Sequence, residues 1–182
     1  MTSIKSIAVF CGSSTGHDPV LIKDSLDLAA AFCAHDITLV YGGGNVGLMG
    51  VLADEMLRLG GRVIGVIPER LVEIEVAHKG LTQLHVVKGM HERKALMTSH
   101  SDAFMVLPGG IGTMEEFFEI YTWQQLGYHQ KPIAISNING FYDILISFLK
   151  TLASRDFVKP SQIDRLIIAG DSVQVLNALL NK

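Results

Sequence analysis

The sequence predicts an α/β fold in which helices cover both faces of a doubly wound, parallel β-sheet. Three observations support this fold. Short, apolar, β-rich runs alternate along the chain with longer amphipathic stretches. The densest groups among the 18 glycines stand where an apolar run ends and an amphipathic stretch begins. The length of 182 residues suits one domain, which can bury its core without disulfides or metal. In such a fold, ligands bind beyond the carboxyl ends of the strands.

Six strands and six helices are predicted in alternation. The strands are short apolar runs bounded by turn residues, over 7–11, 37–41, 63–67, 84–87, 103–107 and 133–136. The helices follow a 3.6-residue period, over 19–34, 46–59, 90–99, 113–125, 141–150 and 172–180. Asp18 and Pro19 are an N-cap and a first-position proline for the first helix. The stretch 68–80 has no clear period, and we expect it to form a rim or lid.

The composition argues against several classes of protein. A net charge of −3 and a pI near 6.1 provide no basic surface for nucleic acid. No apolar run reaches membrane-spanning length, and the first residues lack the apolar core of a signal peptide. Cys11 and Cys33 form no CxxC pair, which predicts reduced thiols and a cytoplasmic protein. The 7 histidines include no ligand-spaced pair, so we expect neither a metal nor another cofactor.

The first glycine-rich loop, 12–16, follows the first predicted strand. Its glycines permit close approach of the backbone, and the Ser13 hydroxyl can bind a ligand. A turn that caps the next helix explains the same residues equally well. Both interpretations of this loop stay open.

The second loop, 42–50, contains glycines at the spacing of the GxGxxG dinucleotide pattern. A phosphate could approach the backbone of Gly43 and Gly44, and Glu69 stands where a carboxylate could bind a ribose hydroxyl. A Rossmann-like, NAD-dependent oxidoreductase is therefore one hypothesis. It is weakened because the pattern follows the second strand and no residues remain for a substrate domain. Glycines that serve only turn geometry and helix packing are the structural alternative.

The third loop, 108–113, carries the strongest indication of function. Its sequence PGGIGT lies between a predicted strand and a predicted helix. Amides at a helix start bind a phosphate without any lysine, helped by the helix dipole. Because no GK[ST] follows, triphosphate chemistry is disfavoured and a monophosphate is the simpler ligand. The residues that we expect around it are Gly109, Gly110, Ile111, Gly112 and Thr113.

Three charged residues near these loops allow a structural and a functional interpretation. Glu116 follows Thr113 at the spacing of a capping box, so its carboxylate can cap the helix or take part in chemistry. Arg93 and Lys94 belong to residue types that are usually solvated. Their place at a strand-to-helix junction, on the same sheet edge as the loops, favours contact with a ligand.

Two motifs together resemble the Lonely Guy (LOG) family, which was long labelled lysine decarboxylase. Residues 90–94, MHERK, match the family motif MHxRK, and residues 108–116, PGGIGTMEE, match PGGxGTxxE. The resemblance extends over about residues 7–157. It implies a phosphoribohydrolase that cleaves the N-glycosidic bond of a purine nucleoside 5′-monophosphate. The implied substrate is AMP or an N6-substituted, cytokinin-type AMP, and the products are the free base and ribose 5-phosphate.

The resemblance also implies roles for particular residues. Arg93 and Glu116 match the catalytic positions of the family. The implied substrate contacts are Glu75, Met90, Lys94, the segment 110–116 with Met114 and Glu115, and Thr122. A homodimer is implied as well, which suits the apolar residues around helix 113–125. A carboxylate near the ribose suits this chemistry, because cleavage builds positive charge on the sugar. A catalytically silent nucleotide-binding module is the alternative.

Overall fold

A computed structural model describes residues 4–181, and one parallel sheet runs through them. Its strands are β1 (Ser6–Phe10), β2 (Thr38–Tyr41), β3 (Val63–Pro68), β4 (Gln83–Val87), β5 (Ala103–Val106), β6 (Ile133–Ser136) and β7 (Ile167–Ala169). Their order is β4-β3-β2-β1-β5-β6-β7, and all pairs are parallel. The chain winds outward from β1 to β4, returns beside β1 and then winds the other way. The crevice between β1 and β5 is thus the topological switch point.

The helices are α1 (Pro19–Ala34), α2 (Gly47–Arg58), α3 (Met90–Ser99), α4 (Ile111–Leu126), α5 (Asp143–Ser154), α6 (Pro160–Ile163) and α7 (Ser172–Leu180). The predicted bounds of α1, α3 and α7 are confirmed. As predicted, the Asp18 carboxylate caps α1, accepting from the Val20 amide at 3.0 Å. Helix α5 begins later than predicted because a single 3₁₀ turn with Asn139 and Gly140 at positive φ precedes it. Neither α6 nor β7 was predicted.

Two apolar clusters, one on each face of the sheet, confirm the doubly wound architecture. On one face, α1, α2 and α7 bury Phe32, Leu52, Met56 and Leu176. On the other, α3, α4 and α5 bury Met97, Phe117, Tyr121 and Leu149. Full burial of each such side chain contributes about 1.5–3 kcal/mol to the free energy of folding. Packing of both helix layers therefore stabilises the sheet whose strand ends carry the loops.

Three further observations concern residues 4–181 as a whole. No helix among them is long and apolar enough to cross a membrane. Cys11 and Cys33 are free thiols. No three histidine, cysteine, aspartate or glutamate side chains in this part of the chain are grouped so as to hold a metal ion.

Candidate active site

The three glycine-rich loops meet at the carboxyl ends of the central strands. The Gly12 amide donates to the carbonyl of Pro108 at 3.0 Å, and the Leu48 amide donates to the carbonyl of Gly12 at 3.0 Å. Gly47 packs directly on the first loop, where a Cβ would lie 2.2 Å from the carbonyl carbon of Ser13. The loops therefore form one rigid surface at the switch point, with Ser13 exposed on it.

The third loop delivers the start of α4 to this surface. Helix α4 begins at Ile111, and its N-cap, Gly110, provides no side-chain hydrogen bond to the first turn. The first-turn amides of a helix have no partner inside the helix, so they point outward with the positive end of the dipole. Ile111 and Gly112 are both exposed. This is the geometry of an anion site.

Gly109 fixes the shape of this cradle. A Cβ at Gly109 would lie 2.1 Å from Oγ1 of Thr113, which is buried, and 2.9 Å from the Gly12 amide nitrogen. We expect Gly109→Ala to lower the thermal unfolding midpoint by several degrees, because the loop must move. Gly112→Ala is the matched control, since its Cβ would meet no atom within 4 Å. It should leave the midpoint unchanged or raise it. Equal midpoints for the two variants would contradict a tightly packed cradle.

Arg93 is the centre of the charged site. It lies on α3 with only 4% of its surface exposed, so the expectation of a solvated charge is wrong. Its Nη2 lies 3.7 Å from Oε2 of Glu75 and 3.8 Å from Oε1 of Glu116, and it donates to the Gly42 carbonyl at 3.4 Å. Its Nη1 lies 3.9 Å from Sδ of Met90. These ion-pair distances exceed those of direct hydrogen bonds, so the guanidinium retains capacity for a ligand.

Glu116 lies inside α4 and does not cap it. Because the helix begins at Ile111, Thr113 is not the N-cap, and the capping-box interpretation is wrong. Burial raises the pKa of the Glu116 carboxyl to about 7, although Arg93 opposes the shift. Burial also raises the pKa of Glu75, again against Arg93. One guanidinium thus faces two carboxyl groups that take up protons more readily than ordinary glutamates.

Comparison with known proteins gives the family. A family model described as "Possible lysine decarboxylase" matches residues 49–179. A cytokinin riboside 5′-monophosphate phosphoribohydrolase from Rhodococcoides fascians is 47% identical over 168 residues, covering 92% of this chain and 85% of the relative. An Arabidopsis thaliana protein of the same name is 39% identical over 175 residues, covering 96% and 77%. The chain belongs to the LOG family.

Solved structures of more distant proteins share the fold of this LOG chain. The molybdenum cofactor carrier protein from Chlamydomonas reinhardtii has a TM-score of 0.73 at 18% identity, covering 98% of this chain and 99% of that one. The molybdenum cofactor binding protein from Rippkaea orientalis has a TM-score of 0.69 at 19% identity, covering 100% and 98%. At these identities the likeness concerns the architecture alone.

Lys94 of the LOG chain is committed to α4. Its ammonium pairs with Glu115 and, at 2.9 Å, with Oε2 of Glu119. Burial by itself would lower the pKa of Lys94, but the bonds to the two carboxylates raise it overall. A decarboxylase of the kind that the family label suggests needs a free amine to bind pyridoxal phosphate. Lys94, charged and doubly paired, does not fit that cofactor.

The glycines of the second loop are packed against protein atoms. A Cβ at Gly42 would lie 2.1 Å from Nη2 of Arg93, and one at Gly44 would lie 3.0 Å from Cβ of Glu75. Gly43 adopts φ +78° and packs beside Ile67. Arg93 and Glu75 therefore occupy space directly beside Gly42 and Gly44, where a pyrophosphate would have to approach the backbone, which argues against the dinucleotide hypothesis. The tight geometry explains these glycines.

The remaining predicted residues lie in different places along α4. Met114 packs partly buried against the core, whereas Ile111 is 87% exposed. Thr122 is exposed further along the helix. Sequence analysis missed Glu119, although its spacing from Glu115 puts both carboxylates on one helix face. The structure thus brings Glu75, Met90, Arg93 and Glu116 together.

Proposed function

We propose that this LOG protein hydrolyses the N-glycosidic bond of AMP or an N6-substituted AMP, releasing the base and ribose 5-phosphate. The observation that carries the proposal is the pairing, on one helix, of an anion-binding first turn with the buried Glu116 carboxyl. Glu116 lies roughly 6–8 Å along the axis from the first-turn amides. That separation matches the reach of a nucleotide from its 5′-phosphate to its anomeric carbon. The names of the relatives support the same reaction.

The phosphate supplies orientation rather than chemistry. The amides of Gly110, Ile111 and Gly112 would hold it at the start of α4, with Gly109 and Thr113 shaping the loop. Binding energy from this remote group fixes the ribose against Glu116, which lowers the entropy cost of reaching the transition state.

The two carboxyl groups on Arg93 supply the chemistry. As the bond between the anomeric carbon and the base breaks, positive charge develops on the sugar, and the Glu116 carboxylate stabilises it. Water adds to the anomeric carbon and gives a proton to Glu116, whose pKa of about 7 suits proton transfer at neutral pH. Glu75, with its raised pKa, would bind the ribose or donate a proton to the leaving base. Arg93 holds both groups in position.

We further propose a homodimer formed through α4. Phe118, Thr122 and Leu126 are spaced four residues apart and lie exposed in one stripe of that helix. Thr122 lies in this exposed stripe, so in such a dimer it would face the neighbouring subunit. Light scattering should give twice the 19.8 kDa chain mass, and Leu126→Glu should reduce it. Leu26→Glu, on the exposed side of α1, is the control, and a monomeric wild type would contradict the dimer.

Other substrate contacts are proposed on position alone. Met90 lies beside Arg93, and Ser13 is exposed next to the cradle. Lys94, Met114, Glu115, Gly43 and Gly44 complete the proposed set, although each also has a structural role. Lys94 pairs with Glu115, Met114 packs against the core, and the two glycines pack against Ile67 and Glu75. For the compartment we propose the cytoplasm, which the two free thiols support.

One assay separates the candidate functions. The protein is incubated with AMP and with N6-isopentenyl AMP, and free base and ribose 5-phosphate are quantified. Release of both products with either nucleotide supports the phosphoribohydrolase. Nucleotide binding without product would support the silent module, and reduction of NAD with binding of the dinucleotide would support the oxidoreductase.

A further inference from the structure

A segment of residues 72–80, here named the cover segment, folds back onto the second glycine-rich loop. The Asn45 amide donates to the carbonyls of Glu75 at 3.0 Å and Val76 at 2.9 Å, and the His78 amide donates to the carbonyl of Gly43 at 2.9 Å. Gly44 and Ala77 form an isolated antiparallel bridge. The cover segment therefore lies on the loop like a short added strand, and it carries Glu75 to Arg93.

The imidazole of His78 links the cover segment to helix α2. The Gly80 amide donates to Nδ1 of His78 at 3.0 Å, so that nitrogen accepts. The proton of the neutral ring then resides on Nε2, which donates to Oδ1 of Asp54 on α2 at 2.9 Å. His78 is only 6% exposed. Its ring and its backbone amide together bond α2, the glycine loop and the end of the cover segment.

The cover segment needs such restraint because its backbone is strained next to Glu75. Val76 adopts φ 48°, a left-handed conformation that is unfavourable for a β-branched residue. Residues held in such conformations persist when the surrounding contacts over-determine them. Glu75 directly precedes this residue, and its carboxylate reaches Arg93 at 3.7 Å. Any relaxation of Val76 would therefore move the carboxylate away from the guanidinium.

We propose that His78 is a positioning residue. Its hydrogen bond to Asp54, here named the latch, holds the cover segment so that Glu75 faces Arg93. This inference rests on the proposed function only in so far as Glu75 contacts the nucleotide. The Asp54 side chain is 66% exposed, so its hydrogen bond with His78 contributes little to global stability. Its effect falls on the geometry of the site.

Kinetics of four variants test the latch. We expect Asp54→Ala and His78→Ala to lower kcat/KM about tenfold, because a small displacement of Glu75 weakens substrate positioning. Asp54→Asn should retain most of the activity, since it keeps the oxygen that accepts from Nε2. Glu55→Ala is the matched control on the same helix, where Glu55 pairs with Arg58 at 2.6 Å and not with the cover segment. Equal losses in Asp54→Ala and Glu55→Ala would overturn the latch.

A double-mutant cycle asks whether His78 acts through Glu75. In a Glu75→Gln background, His78→Ala should cause little further loss, because the carboxylate that it positions is already gone. Additive losses would mean that His78 acts independently of Glu75, and would overturn the proposal.

Hydrogen exchange tests the latch without any substrate. In Asp54→Ala, the Asn45 and His78 amides should exchange about tenfold faster than in wild type, whereas amides in the middle of α2 should keep their protection. Unchanged exchange at Asn45 and His78 would overturn the latch even in an active enzyme. Faster exchange in a protein that releases no base would uphold the latch and refute the proposed function instead.

Discussion

Glu116→Gln is expected to lower the rate of nucleotide hydrolysis about 10³-fold while nucleotide binding persists. The substitution keeps the shape of the side chain but removes the charge that stabilises the developing cation and the group that accepts a proton from water. The cradle at the start of α4 is untouched, and at pH 6 the wild-type Glu116 carboxyl is largely protonated, so the affinity for AMP, measured by calorimetry at that pH, should change little. Glu69→Gln is the control, because Glu69 is exposed and carries the carboxylate of the dinucleotide hypothesis. Near-normal turnover by Glu116→Gln would leave Glu116 with a structural role.

The same variant should be more stable than wild type above neutral pH. The pKa of Glu116 rises on folding from its ordinary value of about 4.5 to about 7, so between these values the folded state binds more protons than the unfolded state. The cost of burying the charged Glu116 carboxylate is therefore absent at pH 4 and fully present at pH 8. There it lowers the free energy of unfolding by on the order of 3 kcal/mol. Thermal midpoints of the two proteins should coincide near pH 4 and diverge at pH 8. If the difference between the two midpoints were the same at pH 4 and at pH 8, the raised pKa would be contradicted.

Arg93→Met should remove activity and destabilise the fold in a pH-dependent way. Without the guanidinium, Glu75 and Glu116 face one another unpaired, and breaking a buried ion pair costs about 3–5 kcal/mol when the remaining charge is kept. Burial already raises both carboxyl pKa values, and loss of Arg93 raises them further. Protonation removes the unpaired negative charge, so the penalty should be smaller at pH 5 than at pH 8. Urea unfolding at pH 5 and pH 8 measures the difference.

Arg93→Lys is the matched control for this prediction. A lysine keeps the positive charge but lacks the planar fork that reaches two carboxylates and the Gly42 carbonyl at once. We expect it to recover much of the stability at pH 8 and little of the activity. Equal destabilisation of Arg93→Met at both pH values would mean that Arg93 stabilises the fold by packing alone.

The fold was predictable because its determinants are local. Buried parallel strands form continuous apolar runs, and the helices carry caps and periodicity that the chain displays directly, as Asp18 and Pro19 do for α1. Strand β7 was missed since it comprises only 3 residues at the sheet edge, too few for a pattern. The start of α4 was placed too late because Thr113 is a better cap by residue type than Gly110, the actual N-cap.

The site was predictable only in part, because its decisive contacts are long-range. Motifs indicated Arg93 and Glu116, but no spacing reveals that one guanidinium reaches both Glu116 and Glu75. The irregular stretch 68–80 has no period because its shape comes from bonds to Gly43, Asn45 and Asp54 rather than from its own residues. Likewise, no spacing reveals that Lys94 pairs with Glu115 and Glu119 on α4.

The anion cradle lies in an acidic neighbourhood, and this has a thermodynamic consequence. Four carboxyl groups, those of Glu75, Glu115, Glu116 and Glu119, surround the two cations Arg93 and Lys94. A phosphate that arrives beside them adds negative charge, which raises the pKa values of Glu75 and Glu116 further. We therefore expect binding of a nucleotide to be coupled to proton uptake, and its affinity to fall as the pH rises through 7. In this site, the proton is effectively a second ligand that binds together with the nucleotide.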